Sequence, residues 1–131
     1  MLRSLVSMLI VVSFFALVSC GGGGAEPSDT VKSFVEKVEK ADYEAAFDYL
    51  YLGGQEMDED SKTKLSGLLA MGKAEMDKKE GIKSMEVISE EIAEDGETAK
   101  VEMKFIYGNG DENTEKYRLQ KDGDDWKLKM N

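Results

Sequence analysis

The chain has 131 residues, with 17 basic and 27 acidic side chains, one cysteine and no histidine. A length of this order predicts one domain. The formal net charge of −10 argues against a nucleic-acid partner, because an acidic surface repels phosphate backbones. One cysteine cannot form an internal disulfide, and without histidine the sequence has no Cys/His cluster for a metal. We therefore expect neither a cofactor nor a metal site.

The first nineteen residues have the pattern of an export signal. Arg3 is the only charged residue among them, and Leu5 to Val18 is apolar apart from two serines. This run is too short for a comfortable membrane span but suits the apolar core of a secretory signal. Without residues 1–19 the chain carries 16 basic and 27 acidic side chains, a net charge of −11.

The signal ends in small residues directly before the single cysteine. Leu17-Val18-Ser19-Cys20 resembles the lipobox of bacterial lipoprotein signal peptides. The resemblance implies that cleavage follows Ser19, that the Cys20 sulfur receives a diacylglyceryl group, and that the new amino terminus is acylated, typically with palmitate. The alternative is an ordinary secretion signal or membrane anchor with a chance cysteine.

The residues after the cysteine predict a tether. Four glycines, Gly21 to Gly24, favour disorder, and the eight residues before the domain reach about 15 Å. The predicted organisation is a signal peptide over 1–19, a lipidated cysteine and tether over 20–27, and a domain over 28–131. Because several acyl chains anchor a protein stably, we expect a lipid-anchored protein of the bacterial cell envelope. Gly21 in place of Asp favours the outer membrane, on either its periplasmic or its surface side.

Two amphipathic helices are predicted to open the domain. Ser28 or Asp29 is expected to cap the first helix, whose apolar residues recur at helical spacing until about Ala41. Asp42 is expected to cap the second helix, whose apolar spacing continues to Tyr51.

A third helix is predicted from Asp58 to the residues before Gly81. Three of the methionines, Met76, Met103 and Met130, fall on predicted core positions of this helix and of the strands that follow it. The apolar stripe of the third helix consists of Leu65, Leu68, Leu69, Gly72 and Met76.

After Gly81 the apolar period changes from helical to alternating, which predicts strands. The first strand, over 82–93, needs a bulge near Ile88-Ser89 to keep one apolar face, and Asp95-Gly96 predicts a hairpin turn. The short turns between the strands require an antiparallel meander. The apolar positions of the later strands are Ala99, Val101, Met103, Phe105 and Tyr107, then Tyr117 and Leu119, then Trp126, Leu128 and Met130.

One apolar sheet face and three helices predict an α+β domain in which the helices cover that face. The segments Val31–Val35 and Ala41–Phe47, with the closing Gly123-Asp124-Asp125-Trp126-Lys127-Leu128, resemble NTF2-like (cystatin-like) proteins. Within them the chain is similar to small lipoprotein families of unknown function, the DUF4878 and lumazine-binding-like families. The resemblance implies N-terminal helices packed on a curved antiparallel sheet of about four strands, with room for a conical cavity.

Two functions remain open at this level. The first is a non-catalytic binding or accessory module for a small apolar ligand or an envelope partner protein. The partner protein could be a second copy of the chain, in a homodimer formed through the sheet face. The candidate ligand-binding residues are Tyr107, Tyr117 and Trp126, although Trp126 fits a core position better. The second is an NTF2-like enzyme of the isomerase or dehydratase type, with a tyrosine and an acid in the cone. We favour the binding module, because no acid is seen to interrupt an apolar stripe and no histidine is present.

Two loops rich in oxygen ligands, Asn109 to Glu115 and Asp122 to Asp125, are the candidate metal sites in the sequence. Neither fits the spacing of a twelve-residue calcium loop. Asn, Asp and Gly are also the residues that tight turns require, so turn chemistry is the preferred interpretation and no metal ligand is assigned.

Overall fold

The structure is a computed structural model and describes residues 26–130. The predictions for the signal peptide, for cleavage at Ser19, for lipidation of Cys20 and for most of the tether lie outside these residues. The elements in chain order are α1 (Pro27–Glu39), α2 (Tyr43–Phe47), α3 (Glu59–Lys78), β1 (Ile82–Ile92), β2 (Thr98–Tyr107), β3 (Glu112–Asp122) and β4 (Asp125–Leu128).

The four strands form one antiparallel sheet in the order β1-β2-β3-β4, with the helices on one face. Alternate residues of β2 are buried against the helices, as the sequence pattern predicted. Val31 and Val35 of α1 and Phe47 of α2 complete this core. The α+β architecture and the antiparallel meander are confirmed. The buried apolar side chains of residues 26–130 that form this core lie between Val31 and Leu128.

Helix α1 begins earlier than predicted. Pro27, assigned to the tether, is the first residue of the helix, a position that suits proline because its missing N–H would have no partner there. The N-cap is Glu26, whose backbone N–H donates to the Asp29 carboxylate at 3.1 Å. The predicted cap at Ser28 or Asp29 was therefore wrong: Asp29 is the third residue of the helix, and the Ser28 backbone N–H donates to the Glu90 carboxylate in β1 at 2.8 Å.

Helix α2 is capped by Asp42 as predicted, but it ends at Phe47 rather than near Tyr51. The following segment pairs with β4 instead of continuing the helix. The Leu128 N–H donates to the Tyr49 carbonyl, and the Tyr51 N–H donates to the Leu128 carbonyl, both at 2.7 Å. This parallel bridge covers part of an otherwise unpaired edge of the sheet, which explains why helical spacing was overridden there.

Helix α3 begins after Asp58, whose carboxylate accepts a hydrogen bond from the Ser61 N–H at 2.7 Å. Leu65, Leu69 and Met76 pack against the core, but Leu68 is 63% exposed, contrary to the predicted stripe. The contact line through residues 65, 69 and 76 is narrow, and Leu68 lies about 60° to one side of Leu65 on the helix. None of the side chains of α3 is fully buried, so this helix packs against the edge of the core and contributes no fully buried side chain to it.

Backbone hydrogen bonds join the C-terminal end of α3 to the turn between β2 and β3. The Gly108 N–H donates to the Gly81 carbonyl at 2.9 Å, and the Asn109 N–H donates to the Lys79 carbonyl at 3.0 Å. A side chain at position 108 would collide with the Glu80 carbonyl, so glycine permits this close approach. These contacts fix the last turn of α3 over the helix-facing side of the sheet.

The strands follow the predicted alternation, but Val87, Ile88 and Ile92 of β1 are exposed rather than covered by the helices, and there are two further departures. The bulge in β1 lies between Val87 and Ser89 as predicted, and a second register shift lies between Ile82 and Ser84. Met103 is fully buried, whereas Met130 lies beyond β4 and is 54% exposed, so its predicted core position was wrong. The helices of residues 26–130 lack the combined length and apolarity of a membrane span.

Candidate ligand-binding cleft

A cleft of about 320 Å³ opens between α3 and the helix-facing side of the sheet. We call it the tyrosine cleft. Gly72 of α3 lies in its wall, where the absence of a side chain leaves open space. The apolar part of its lining is buried or half-buried and comes from α1, α3 and three strands: Val35, Met76, Ile82, Phe105, Tyr107 and Tyr117.

The polar lining of the cleft lies at its mouth and consists of Glu75, Lys79, Asn113 and Glu115. The Lys79 ammonium sits over the ring of Tyr107, with Nζ 4.7 Å from the ring centre. The Asn113 amide donates to the Glu115 carboxylate at 2.8 Å. An apolar floor with a few polar groups at the rim is the usual composition of a small-molecule site, and the volume is at the lower end of the range for such sites.

Tyr117 is the most distinctive group in the cleft. Burial raises the pKa of its phenol above the ordinary value, and the nearby Glu115 carboxylate and Tyr107 add to the shift. Its hydroxyl takes part in no hydrogen bond within the described residues. The phenol therefore stays protonated throughout the physiological range and presents a free O–H donor to whatever occupies the cleft.

The structure brings two of the three candidate ligand-binding residues together. Tyr107 and Tyr117 line the same cleft, whereas Trp126 is only 5% exposed and belongs to the core. The Trp126 carbonyl accepts a hydrogen bond from the Thr30 hydroxyl at 3.0 Å, and Lys121 Nζ lies 4.9 Å from the centre of its ring. The core interpretation of Trp126 is confirmed, and its position separates it from the cleft.

Asn113 and Glu115 were not predicted as cleft residues, because the sequence pattern assigns the acids to polar faces and turns. In the structure they pair with the buried Phe105 and Met103 of β2 and therefore lie on the helix-facing side of the sheet. The signal was available: residues 113, 115, 117 and 119 alternate in one phase, and Tyr117 and Leu119 identify that phase as the helix-facing one. Polar residues in an apolar phase mark the part of the face that no helix covers.

The oxygen-rich segments are explained mainly by turns. In the turn before β3, the Asp111 N–H donates to the Asn109 side-chain oxygen at 2.9 Å, whereas Glu112 to Glu115 belong to β3 itself. Gly123 and Asp124 form the turn between β3 and β4. Over residues 26–130, no three Asp, Glu, Cys or His side chains come close enough together to hold a metal ion.

Two larger depressions, of about 760 and 510 Å³, lie on the opposite face of the sheet. The larger is lined mainly by charged side chains of β1, β2 and β3 and by Lys129. A charged, open surface of this kind suits a macromolecular contact better than an apolar small molecule, so the tyrosine cleft is the stronger ligand site.

Comparison with known proteins supports the fold. A profile described as "Domain of unknown function (DUF4878)" matches residues 18–129. The structure resembles a crystal structure of a Campylobacter jejuni protein described as a proposed NTF2-like transpeptidase, with a TM-score of 0.71 at 19% identity. The similarity covers 82% of this chain and 100% of that one, and it confirms the NTF2-like fold. No curated protein matches the chain.

Proposed function

We propose a function from two facts: the chain belongs to the DUF4878 family, and its NTF2-like domain has an open cleft with an apolar floor. The proposed function is that of a lipid-anchored envelope protein whose domain binds a small, mainly apolar ligand without chemical conversion. The tyrosine cleft is the main observation that supports the proposed ligand binding. Its floor offers apolar contacts, and the protonated Tyr117 hydroxyl offers one directed hydrogen bond to a carbonyl or hydroxyl oxygen of the ligand.

The anchoring half of the proposal rests on the sequence. Leu17-Val18-Ser19-Cys20 is a lipobox pattern, and three acyl chains on Cys20 would hold the domain at a bilayer permanently. Gly21 after the cysteine supports the outer membrane as the destination. Anchoring and ligand binding are separable, because Cys20 and the cleft lie in different parts of the chain.

Filling the cleft tests the binding half. In Gly72→Leu the new side chain would enter the cleft, where a Cβ at position 72 meets no atom within 4 Å. We expect affinity for the neutral fluorescent probe N-phenyl-1-naphthylamine to fall at least about tenfold. The probe is titrated against the chain beginning at Cys20, which contains all the buried core residues described above.

Gly67→Leu is the matched control. Gly67 lies on the same helix but outside the cleft, and it too has open space around the position of its absent side chain. Both substitutions stabilise α3 by up to about 1 kcal/mol through helix propensity, so fold stability cannot explain a difference between them. Equal probe affinities in the two variants would refute binding in the cleft.

A second function has one observation in its favour, the raised pKa of Tyr117 beside Glu115. A neutral phenol in the lining of an apolar cleft can stabilise a developing oxyanion, as in isomerases and dehydratases, with a carboxylate as base. Conversion of a β,γ-unsaturated ketone to its conjugated isomer, abolished in Tyr117→Phe, would establish this function; the binding proposal predicts no conversion. For transpeptidation, the sequence offers no Cys–His pair, since it has no histidine.

A further inference from the structure

The face of the sheet opposite the helices carries a cationic depression on an acidic molecule. We call it the basic groove and define it by Lys100, Lys116, Arg118 and Lys129, which line the larger depression together with two carboxylates, Glu91 and Glu102. Its local charge is therefore +2, while the chain after residue 19 carries −11. The charge of the groove is opposite in sign to that of the rest of the molecule.

The cations of the groove are largely free to meet an external partner. Lys116 pairs with Glu102 at 3.8 Å, and the ion pairs of residues 26–130 do not include Lys100, Arg118 or Lys129. Lys100 and Arg118 are register partners on β2 and β3, so two like charges stand side by side. Such a pair is destabilising in an isolated sheet, and an anion between the two side chains relieves the repulsion.

An exposed apolar side chain also lies in the larger depression. Met130 is 54% exposed there, next to Lys129. The adjoining depression shares Lys100, Arg118 and Lys129 with the basic groove. Cations beside an exposed apolar side chain suit a surface that rests at the headgroup level of a bilayer.

The chain leaves the domain at the end of the sheet that carries the groove. The Ser28 N–H in the first turn of α1 bonds to Glu90, which lies between the groove residues Ser89 and Glu91 in β1. The Thr30 hydroxyl bonds to the Trp126 carbonyl at the start of β4. The six residues between Cys20 and Pro27, whose flexible reach is about 13 Å, would therefore hold this end of the sheet nearest to the membrane.

From this charge and this position we propose that the basic groove docks on the anionic headgroups of the bilayer to which the chain is anchored. The inference rests on the proposed anchoring through Cys20. Anionic headgroups attract the groove and repel the acidic remainder of the domain. Both forces turn the groove toward the bilayer and leave α3 and the cleft mouth accessible. Lipid supplies the attachment, and the groove sets the orientation.

Lysine footprinting on vesicles tests the orientation. The chain beginning at Cys20 is coupled through its only thiol to a maleimide lipid, in vesicles of phosphatidylcholine alone or with about a third of phosphatidylglycerol. Acetylation rates are then read residue by residue by mass spectrometry. We expect Lys100, Lys116 and Lys129 to react at least about threefold more slowly on the anionic vesicles, and the difference to vanish at high salt.

Internal and matched controls accompany the measurement. Lys40 lies at the C-terminal end of α1 and Lys64 lies on α3. Both are exposed and outside the groove, so their acetylation rates should be the same on both vesicles. The double variant Lys100→Glu/Arg118→Glu should lose the protection of Lys116 and Lys129. Lys64→Glu, a charge reversal outside the groove, should keep it.

Equal rates for the groove lysines on both vesicles would overturn the proposal, as would protection that survives the double charge reversal. Protection by soluble polyglutamate without protection by anionic vesicles would also overturn it, in favour of an acidic peptide partner.

The chemical coupling replaces cellular lipidation and does not involve the cleft. A negative result here would therefore leave ligand binding untouched, and a failure of lipidation in cells would be detected separately.

Discussion

At the scale of single residues, Tyr117 gives the cleft its chemical character. Its ring helps to form the apolar floor, and its hydroxyl is held in the protonated state by burial and by the neighbouring Glu115 carboxylate. A phenol in this state is a hydrogen-bond donor at every physiological pH, which suits recognition of an oxygen on an otherwise apolar ligand.

The raised pKa of Tyr117 predicts a pH dependence of stability. A pKa above the ordinary value of 10.0 means that folding favours the neutral phenol, so this contribution is fully present below pH 10.0 and is lost as the pH rises further. Urea unfolding should show that wild type loses stability above this pH more steeply than Tyr117→Phe. Lys73 and Lys104, whose pKa values are raised by hydrogen bonds to Asp77 and Glu112, titrate alike in both proteins. Parallel pH profiles would contradict the burial of the phenol.

Residue-scale prediction from the sequence succeeded where one local pattern decides the outcome. Asp42 was recognised as a helix cap, Asp58 as the start of the third helix, and Trp126 as a core residue. Strand alternation was enough to place Glu115 on the helix-facing side, but whether a helix covers it there depends on where α3 ends over the sheet. That position is set by contacts between Gly108 and the Glu80–Gly81 turn, which are distant in sequence.

At the scale of elements, α3 determines whether a cleft exists. The helix is long, has no fully buried side chain and is fastened at its C-terminal end to the turn between β2 and β3. Gly72 leaves a gap where a larger residue would close onto the sheet. An amphipathic helix that is pinned at one end and only partly packed is suited to admit a ligand beneath it.

The first turn of α3 should depend on Asp58. Its pKa is lowered by the hydrogen bond from the Ser61 N–H, so the stabilisation is present above the ordinary value of 3.8 and is lost as the pH falls. Asp58→Ala should lower the urea midpoint at neutral pH and speed amide exchange at Ser61, with a smaller effect in acid. Asp60→Ala removes an equal charge from the same turn without removing the cap. If both variants behave alike, helix-dipole electrostatics rather than capping would be responsible.

The strand pattern was predicted nearly in full because alternation and Asp-Gly turns are local signals. The bulge after Val87 followed from the need to keep apolar residues on one face. The short α2 could not be predicted, since the hydrogen bonds that end it join Tyr49 and Tyr51 to Leu128 at the far end of the sequence.

At the scale of the whole molecule, one sheet separates two surfaces of different chemistry. The helix side carries the tyrosine cleft, and the other side carries the basic groove. Net charge alone indicated an acidic surface throughout and gave no sign of the groove, because Lys100, Lys116, Arg118 and Lys129 are dispersed in sequence and gathered only by strand register.

Anchoring of the whole protein should depend on one sulfur atom. Cys20→Ser removes the acceptor of the diacylglyceryl group, so the protein expressed in bacteria should leave the detergent phase of a phase-separation assay or remain as an unprocessed precursor. Ser19→Ala keeps the cysteine and a small residue before it, and should partition like wild type. A Cys20→Ser protein that is still processed and still partitions into detergent would refute lipidation at this residue.

Binding in the tyrosine cleft is the central claim, and nuclear magnetic resonance of the isotopically labelled domain tests it most directly. Titration with N-phenyl-1-naphthylamine should shift the amide resonances of Gly72, Met76, Tyr107 and Tyr117, and leave those of Lys100 and Arg118 on the opposite face unchanged. The account predicts one saturable set of shifts confined to α3 and the facing strands. Shifts centred on the exposed Leu68 and Met71, or no saturable shifts at all, would contradict it.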